Sequence, residues 1–135
     1  IILNNQRVDM VIEEPEAHLF PTAQKEMLEL IILMINATSS QVVITTHSPY
    51  MLSSANLLMY SSYVEGDAGG NSSIIDRDYR IKANAVSSYL LSNHIAVDIM
   101  DRDTYMIKAY RIDSISEDIN NSLDLLLQLE ERNGM

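Results

Sequence analysis

Apolar positions fall into short runs and longer stripes along this chain, and that contrast predicts its elements. Val8 to Ile12 is a short run rich in β-branched residues that ends at the acidic Glu13-Glu14-Pro15-Glu16, the pattern of a buried strand. Pro21 suits the first turn of a helix, where its missing N–H costs nothing, and the pattern carries that helix from about Thr22 to Asn36. Leu28 through Ile35 is apolar nearly all round, as in a helix covered on more than one side, and the polar Ala37-Thr38-Ser39-Ser40 breaks it. Gln41 to Thr46 predicts a second strand. Ser48 suits an N-cap, with Pro49 as the first residue of a short helix reaching about Ser54. Asn56 to Val64 reads as a third strand. The order β-α-β-α-β is that of a layered α/β sheet with crossover helices.

The pattern changes after Val64. Gly66 to Ser73 has the composition of a flexible loop. Ile95, Val97 and Ile99 alternate with Ala96 and Asp98, the period of a half-buried strand. Val86 to Leu91 is either its hairpin partner across Ser92-Asn93 or a short helix. Tyr105 to Ile112 predicts a further strand, and Asp101-Arg102-Asp103-Thr104 a turn before it. From Ser116, Ile119, Leu123, Leu126 and Leu127 form one apolar helical stripe that ends near Asn133-Gly134. The expected organisation is therefore three stretches: 1–64, a sheet with crossover helices; 65–80, a flexible loop; and 81–135, a small β-rich region and a C-terminal helix packed on the same domain.

Composition narrows the function. The 135 residues suit one domain, and the hydrophobic fraction of 47% is too high for disorder. A formal net charge of −10, with scattered Lys and Arg, argues against the chain gripping nucleic acid by itself. The absence of cysteine removes disulfides and thiolate chemistry, and fits a cytoplasmic protein. The longest apolar stretch, Met27 to Ile35, contains Glu29 and falls far short of the roughly 18 residues of a membrane span. The eight methionines read as core filler.

Two clusters carry chemistry, and each sits where a strand gives way to a loop: Ile12-Glu13-Glu14-Pro15-Glu16-Ala17-His18-Leu19 and Thr45-Thr46-His47-Ser48-Pro49. Open α/β sheets bind ligands outside the carboxyl ends of their strands, so both clusters belong at one edge. Adjacent carboxylates there suit a magnesium–nucleotide site, because Mg²⁺ takes hard oxygen ligands and keeps several waters. The second carboxylate would orient or deprotonate a water attacking a phosphoryl group.

The two motifs in this order, about 30 residues apart, resemble the C-terminal half of an ABC-type ATPase head, nearest the overcoming-lysogenisation-defect-like bacterial ATPases of the AAA_15 and AAA_21 type. The resemblance runs closely from Val8 to about Tyr60 and implies a partial P-loop NTPase fold using ATP and Mg²⁺. It makes the first cluster a Walker B strand, with Glu13 as the Mg²⁺-side acid acting through water and Glu14 as the catalytic base. It makes His47 the switch histidine that senses the γ-phosphate. Glu16, Ala17, His18 and Leu19 fall in the loop that faces a partner subunit across a nucleotide-sandwich dimer, which implies a homodimer or other self-association. Relatives of this kind are tied to DNA and nucleases, for which this chain shows no basic patch.

The chain also departs from that pattern. It contains no G-x-x-x-x-G-K-[ST] and no LSGGQ-like segment, and Phe20 stands where the group often has histidine. It opens on Ile1-Ile2-Leu3 without an initiator Met, so the expectation is an upstream phosphate-binding lobe, with this stretch inactive alone. Three other readings stand beside this one. The acidic cluster and His47 also suit a solvated turn and a strand-to-helix joint. The whole suits a self-associating interaction module, since a severed lobe exposes strand edges and apolar surface. Glu65-Gly66 with Asp101-Arg102-Asp103 matches, more cheaply, a TOPRIM-like Mg²⁺-dependent nuclease; Asp76-Arg77-Asp78 repeats that pattern in a plain loop.

Overall fold

A computed structural model describes residues 6–66, 73–108 and 128. Strands β1 (Asp9–Glu13) and β2 (Gln41–Thr45) lie parallel, joined by helix α1 (Pro21–Thr38), so the expected crossover unit is present in a mixed α/β fold. The register pairs Val11 with Val43, Ile12 with Ile44 and Glu13 with Thr45. Alternation then separates the faces. Met10, Ile12, Val42 and Ile44 are half-buried, whereas Val11 and Val43 remain 70% and 59% exposed on the other face.

Pro21 opens α1 as the sequence predicts, and Ser39, at φ 54°, ends it in the left-handed conformation. Leu28, Ile31 and Ile32 are buried along the helix, each stabilising it by about 1.5–3 kcal/mol. Hydroxyls then tie the α1 exit to β1: Thr38 Oγ1 donates to Met34 O at 2.7 Å, and Val8 N–H donates to Ser40 Oγ at 3.0 Å.

The expected third strand does not form, and the second helix is not short. Helix α2 runs unbroken over Pro49–Glu65, so the observed order there is β-α-β-α. Ser48 caps it by accepting from Tyr50 N–H at 3.1 Å and Met51 N–H at 3.3 Å, and no Gly or Pro intervenes before Gly66. Asn56 to Val64 has a strand-like sequence because α2 is apolar on two sides. Met51 and Leu58 enter one core with Leu28, Ile32 and Ile75, while Leu52 and Met59 enter another with Ile99, Met100 and Ile107. A helix wedged between two cores loses the 3.6-residue polar rhythm that would announce it.

Beyond α2, the stretch expected as loop contains a 3₁₀ turn at Arg77–Tyr79, and Ile75 within it is buried. Arg80, buried beside it, donates to Ile75 O, Gly66 O and Ser73 Oγ and pairs with Glu65 Oε2 at 2.9 Å, closing the C-terminal end of α2. Asn36 Nδ2 on α1 donates to Asp78 O and Arg80 O at 2.8 and 2.9 Å, tying the same stretch to the first helix.

Strands β3 (Tyr89–Ser92) and β4 (Ile95–Asp98) form an antiparallel hairpin, the first of the two alternatives left open for Val86 to Leu91, although Val86 itself ends a 3₁₀ turn and Ser92, expected in the turn, pairs with Ile95 as the last residue of β3. Its turn residues Asn93 and His94 both have positive φ, at 49° and 64°, as a two-residue primed turn requires. The two-residue strands β5 (Met100–Asp101) and β6 (Met106–Ile107) close the described region, with β6 held to α2 through Asn56 on both sides of Ile107. The later part of the strand expected at Tyr105 to Ile112, the helix from Ser116 apart from helical Gln128, the Asn133-Gly134 end and most of the Gly66 to Ser73 loop lie outside the described residues.

Candidate functional site

Because β1 and β2 are parallel and Glu13 is in register with Thr45, both clusters leave the sheet at the same end. A further backbone bond, Glu14 N–H to Thr45 O at 2.9 Å, carries the pairing one residue past β1. The chain then turns sharply: Glu14 has φ 44° and His18 φ 66°, with Ala17 N–H bonded to Glu14 O and Leu19 N–H to Glu16 O, each at 2.9 Å. A left-handed glutamate is strained by about 1–3 kcal/mol, and such strain concentrates at functional sites.

The strained turn brings Glu14 Oε1 to 3.0 Å from His47 Nε2. The side chains are 50% and 90% exposed, so the pair adds little stability; it matters as a geometry. Glu13 is exposed at the end of β1. Glu16 is turned inward and buried, with Oε1 accepting from Thr46 Oγ1 and from His47 N–H. Ala17 and His18 are exposed, Leu19 half-buried, and Phe20 84% exposed.

A second lace joins the loops. Ser48 Oγ donates to Gln24 Oε1 at 2.5 Å, and Gln24 Nε2 donates to Leu19 O at 2.9 Å. The first turn of α1 thus braces the segment after β1 against the cap of α2. Sequence reasoning missed Gln24, assigned Thr46 no role within its cluster and did not foresee the inward role of Glu16. The contacts that join the two loops, Ser48 to Gln24 and Thr46 and His47 to Glu16, span 24, 30 and 31 residues, and no local periodicity encodes them.

An Mg²⁺ ion that arrives on phosphate needs only one or two protein carboxylates, with water and phosphate oxygens completing its shell. Adjacent Glu13 and Glu14 are a donor set of that kind. Among the described residues no group of three or more His, Cys, Asp or Glu is placed to cage a metal unaided. The residues of the nuclease-like pattern are committed elsewhere: Glu65 holds Arg80 and Ile74 N–H, and Asp101 Oδ1 accepts from Asp103 and Thr104 N–H at 2.9 and 3.2 Å. Those backbone donors, with Lys108 nearby, lower the Asp101 pKa below its ordinary value. No described helix is long and apolar enough to cross a membrane.

No curated protein and no solved structure matches the chain. Residues 4–52 match the AAA_15 family model, described as an AAA ATPase domain. That stretch contains β1, the acidic turn, α1, β2 and His47, and the match supports an AAA-type ATPase relationship for the part of the chain that builds the site.

Proposed function

We propose that this chain carries the Walker B and switch-histidine half of an ABC-type, overcoming-lysogenisation-defect-like ATPase head. The observation that carries the reading is the Glu14–His47 contact at 3.0 Å across the ends of two parallel strands, within the stretch that matches an AAA ATPase domain. Glu13 would hold Mg²⁺ through water, and the ion, when bound with ATP, would supply neutralisation of phosphate charge. Glu14 takes a proton from the attacking water as its oxygen bonds to the γ-phosphorus and the bond to the bridging oxygen breaks, leaving ADP and phosphate. His47 is held beside Glu14, where it contacts the γ-phosphate.

The chain has no phosphate-cradling G-x-x-x-x-G-K-[ST], so that element comes from outside these 135 residues, and the chain by itself does not turn over ATP. The assembly is a homodimer in the cytoplasm, with the Glu16–Leu19 loop facing the partner head. In that assembly Glu14→Gln lowers turnover by roughly 10²–10⁴ while sparing nucleotide binding, and Glu13→Ala weakens Mg²⁺-dependent binding. Equal loss of binding and turnover in Glu14→Gln, or an unchanged Mg²⁺ requirement in Glu13→Ala, refutes these roles.

The exposed Val11 and Val43 favour a second reading, a self-associating interaction module. Light scattering separates the two: a mass that rises with concentration and ignores nucleotide supports the module.

A further inference from the structure

Of the three acidic side chains that follow Ile12, Glu16 alone is turned into the protein, 8% exposed. Its Oε1 accepts from two groups of the other loop, the Thr46 hydroxyl and the His47 backbone N–H at 3.3 Å. Thr46 Oγ1 also accepts from Ser48 N–H at 3.0 Å, so the same hydroxyl holds the residue after His47. His47 is therefore gripped twice from the acidic segment, its ring by Glu14 and its backbone by Glu16. Packing alone does not explain a carboxylate here. Its second oxygen, Oε2, is buried without a hydrogen-bond partner among the described residues, a cost that an apolar side chain of similar size would avoid.

We infer that Glu16 is a positioning residue, whose grip on Thr46 and His47 makes the acidic turn and the His47 segment move as one unit. The inference rests on the ATPase reading above and adds to it a requirement that Glu14 and His47 be locked together before water can attack. Misplacing a reacting group by about 1 Å can cost on the order of 10²-fold in rate, which is the scale on which such a lock acts.

The test pairs variants that keep the acceptor or donor with variants that lose it: Glu16→Gln against Glu16→Ala, and Thr46→Ser against Thr46→Val. Amide hydrogen exchange at His47, measured on the full chain without nucleotide, should quicken roughly two- to tenfold in Glu16→Ala and stay near wild type in Glu16→Gln. In the assembled ATPase, kcat should fall roughly ten- to a hundredfold in Glu16→Ala and Thr46→Val, with KM for ATP nearly unchanged. Glu16→Gln and Thr46→Ser should recover most of that loss. If Glu16→Ala does not fold, Thr46→Val against Thr46→Ser reads the same lock from the other side. Unchanged exchange at His47, quickened exchange with undiminished kcat, or a Glu16→Gln as impaired as Glu16→Ala each overturns the inference. Absence of ATP turnover in the wild-type assembly instead overturns the proposed function and the catalytic half of this inference, while the exchange measurement still decides the grip itself.

Discussion

Replacing Arg80 by leucine removes a cation whose side chain is only 3% exposed. The substitution deletes hydrogen bonds to Ile75 O at 3.0 and 2.7 Å, to Gly66 O at 3.0 Å and to Ser73 Oγ at 2.9 Å. It also strands Glu65, 17% exposed and paired with Arg80 at 2.9 Å, which among the described residues then keeps only the Ile74 N–H as a donor. Breaking a buried pair from one side costs about 3–5 kcal/mol, because the survivor keeps its desolvation penalty. A domain of this size has about 5–15 kcal/mol in all, so Arg80→Leu removes a large share. In urea unfolding of the full chain the midpoint should drop by roughly 2–3 M for an m-value of about 1.5 kcal/mol per M. Adding Glu65→Gln should recover part of the loss, since the stranded charge is gone and residues in direct contact couple by about 0.5–3 kcal/mol. A loss below about 1 kcal/mol, the scale of an exposed ion pair, would refute the reasoning and mean that water can satisfy the end of α2 without Arg80.

Leu58 is fully buried, so Leu58→Ala should cost about 2–5 kcal/mol by denaturant unfolding; a change within 0.5 kcal/mol, about what a surface substitution gives, would place α2 wrongly between the two cores. His94 sits at φ 64° in the β3–β4 turn, and His94→Gly should stabilise the chain by about 0.5–1 kcal/mol because glycine accepts that conformation without strain; a lower melting temperature would contradict it. Asp101 has its pKa lowered in the folded state, so its contribution to the β5–β6 turn is present above the ordinary value of 3.8 and is lost as pH falls through the lowered one. Amide exchange at Asp103 and Thr104, corrected for intrinsic rate, should therefore lose protection only in that acid range, and protection already lost near neutral pH would count against the turn.

The sequence by itself determined the parts whose information is local. The β-branched run before Glu13, Pro21 and Pro49 at helix starts, the Ser48 cap and the alternation of Ile95 and Val97 each specify an element through neighbouring residues, and each element is present. The pairing of Glu14 with His47 was legible to the extent that parallel strands must deliver their following loops to one edge. Tertiary structure alone decided the rest. Asn56 to Val64 is helix because Leu58 and Met59 are drawn into two neighbouring cores, and a segment apolar on two sides has no period that separates helix from strand. Glu16 reads as one more exposed acid in an acidic turn until β2 places Thr46 and His47 N–H against it. Arg80 likewise shows its role only when the end of α2 and Ile75 surround it. A buried charge is tolerated through partners distant in the chain, and which partners those are is a property of the fold.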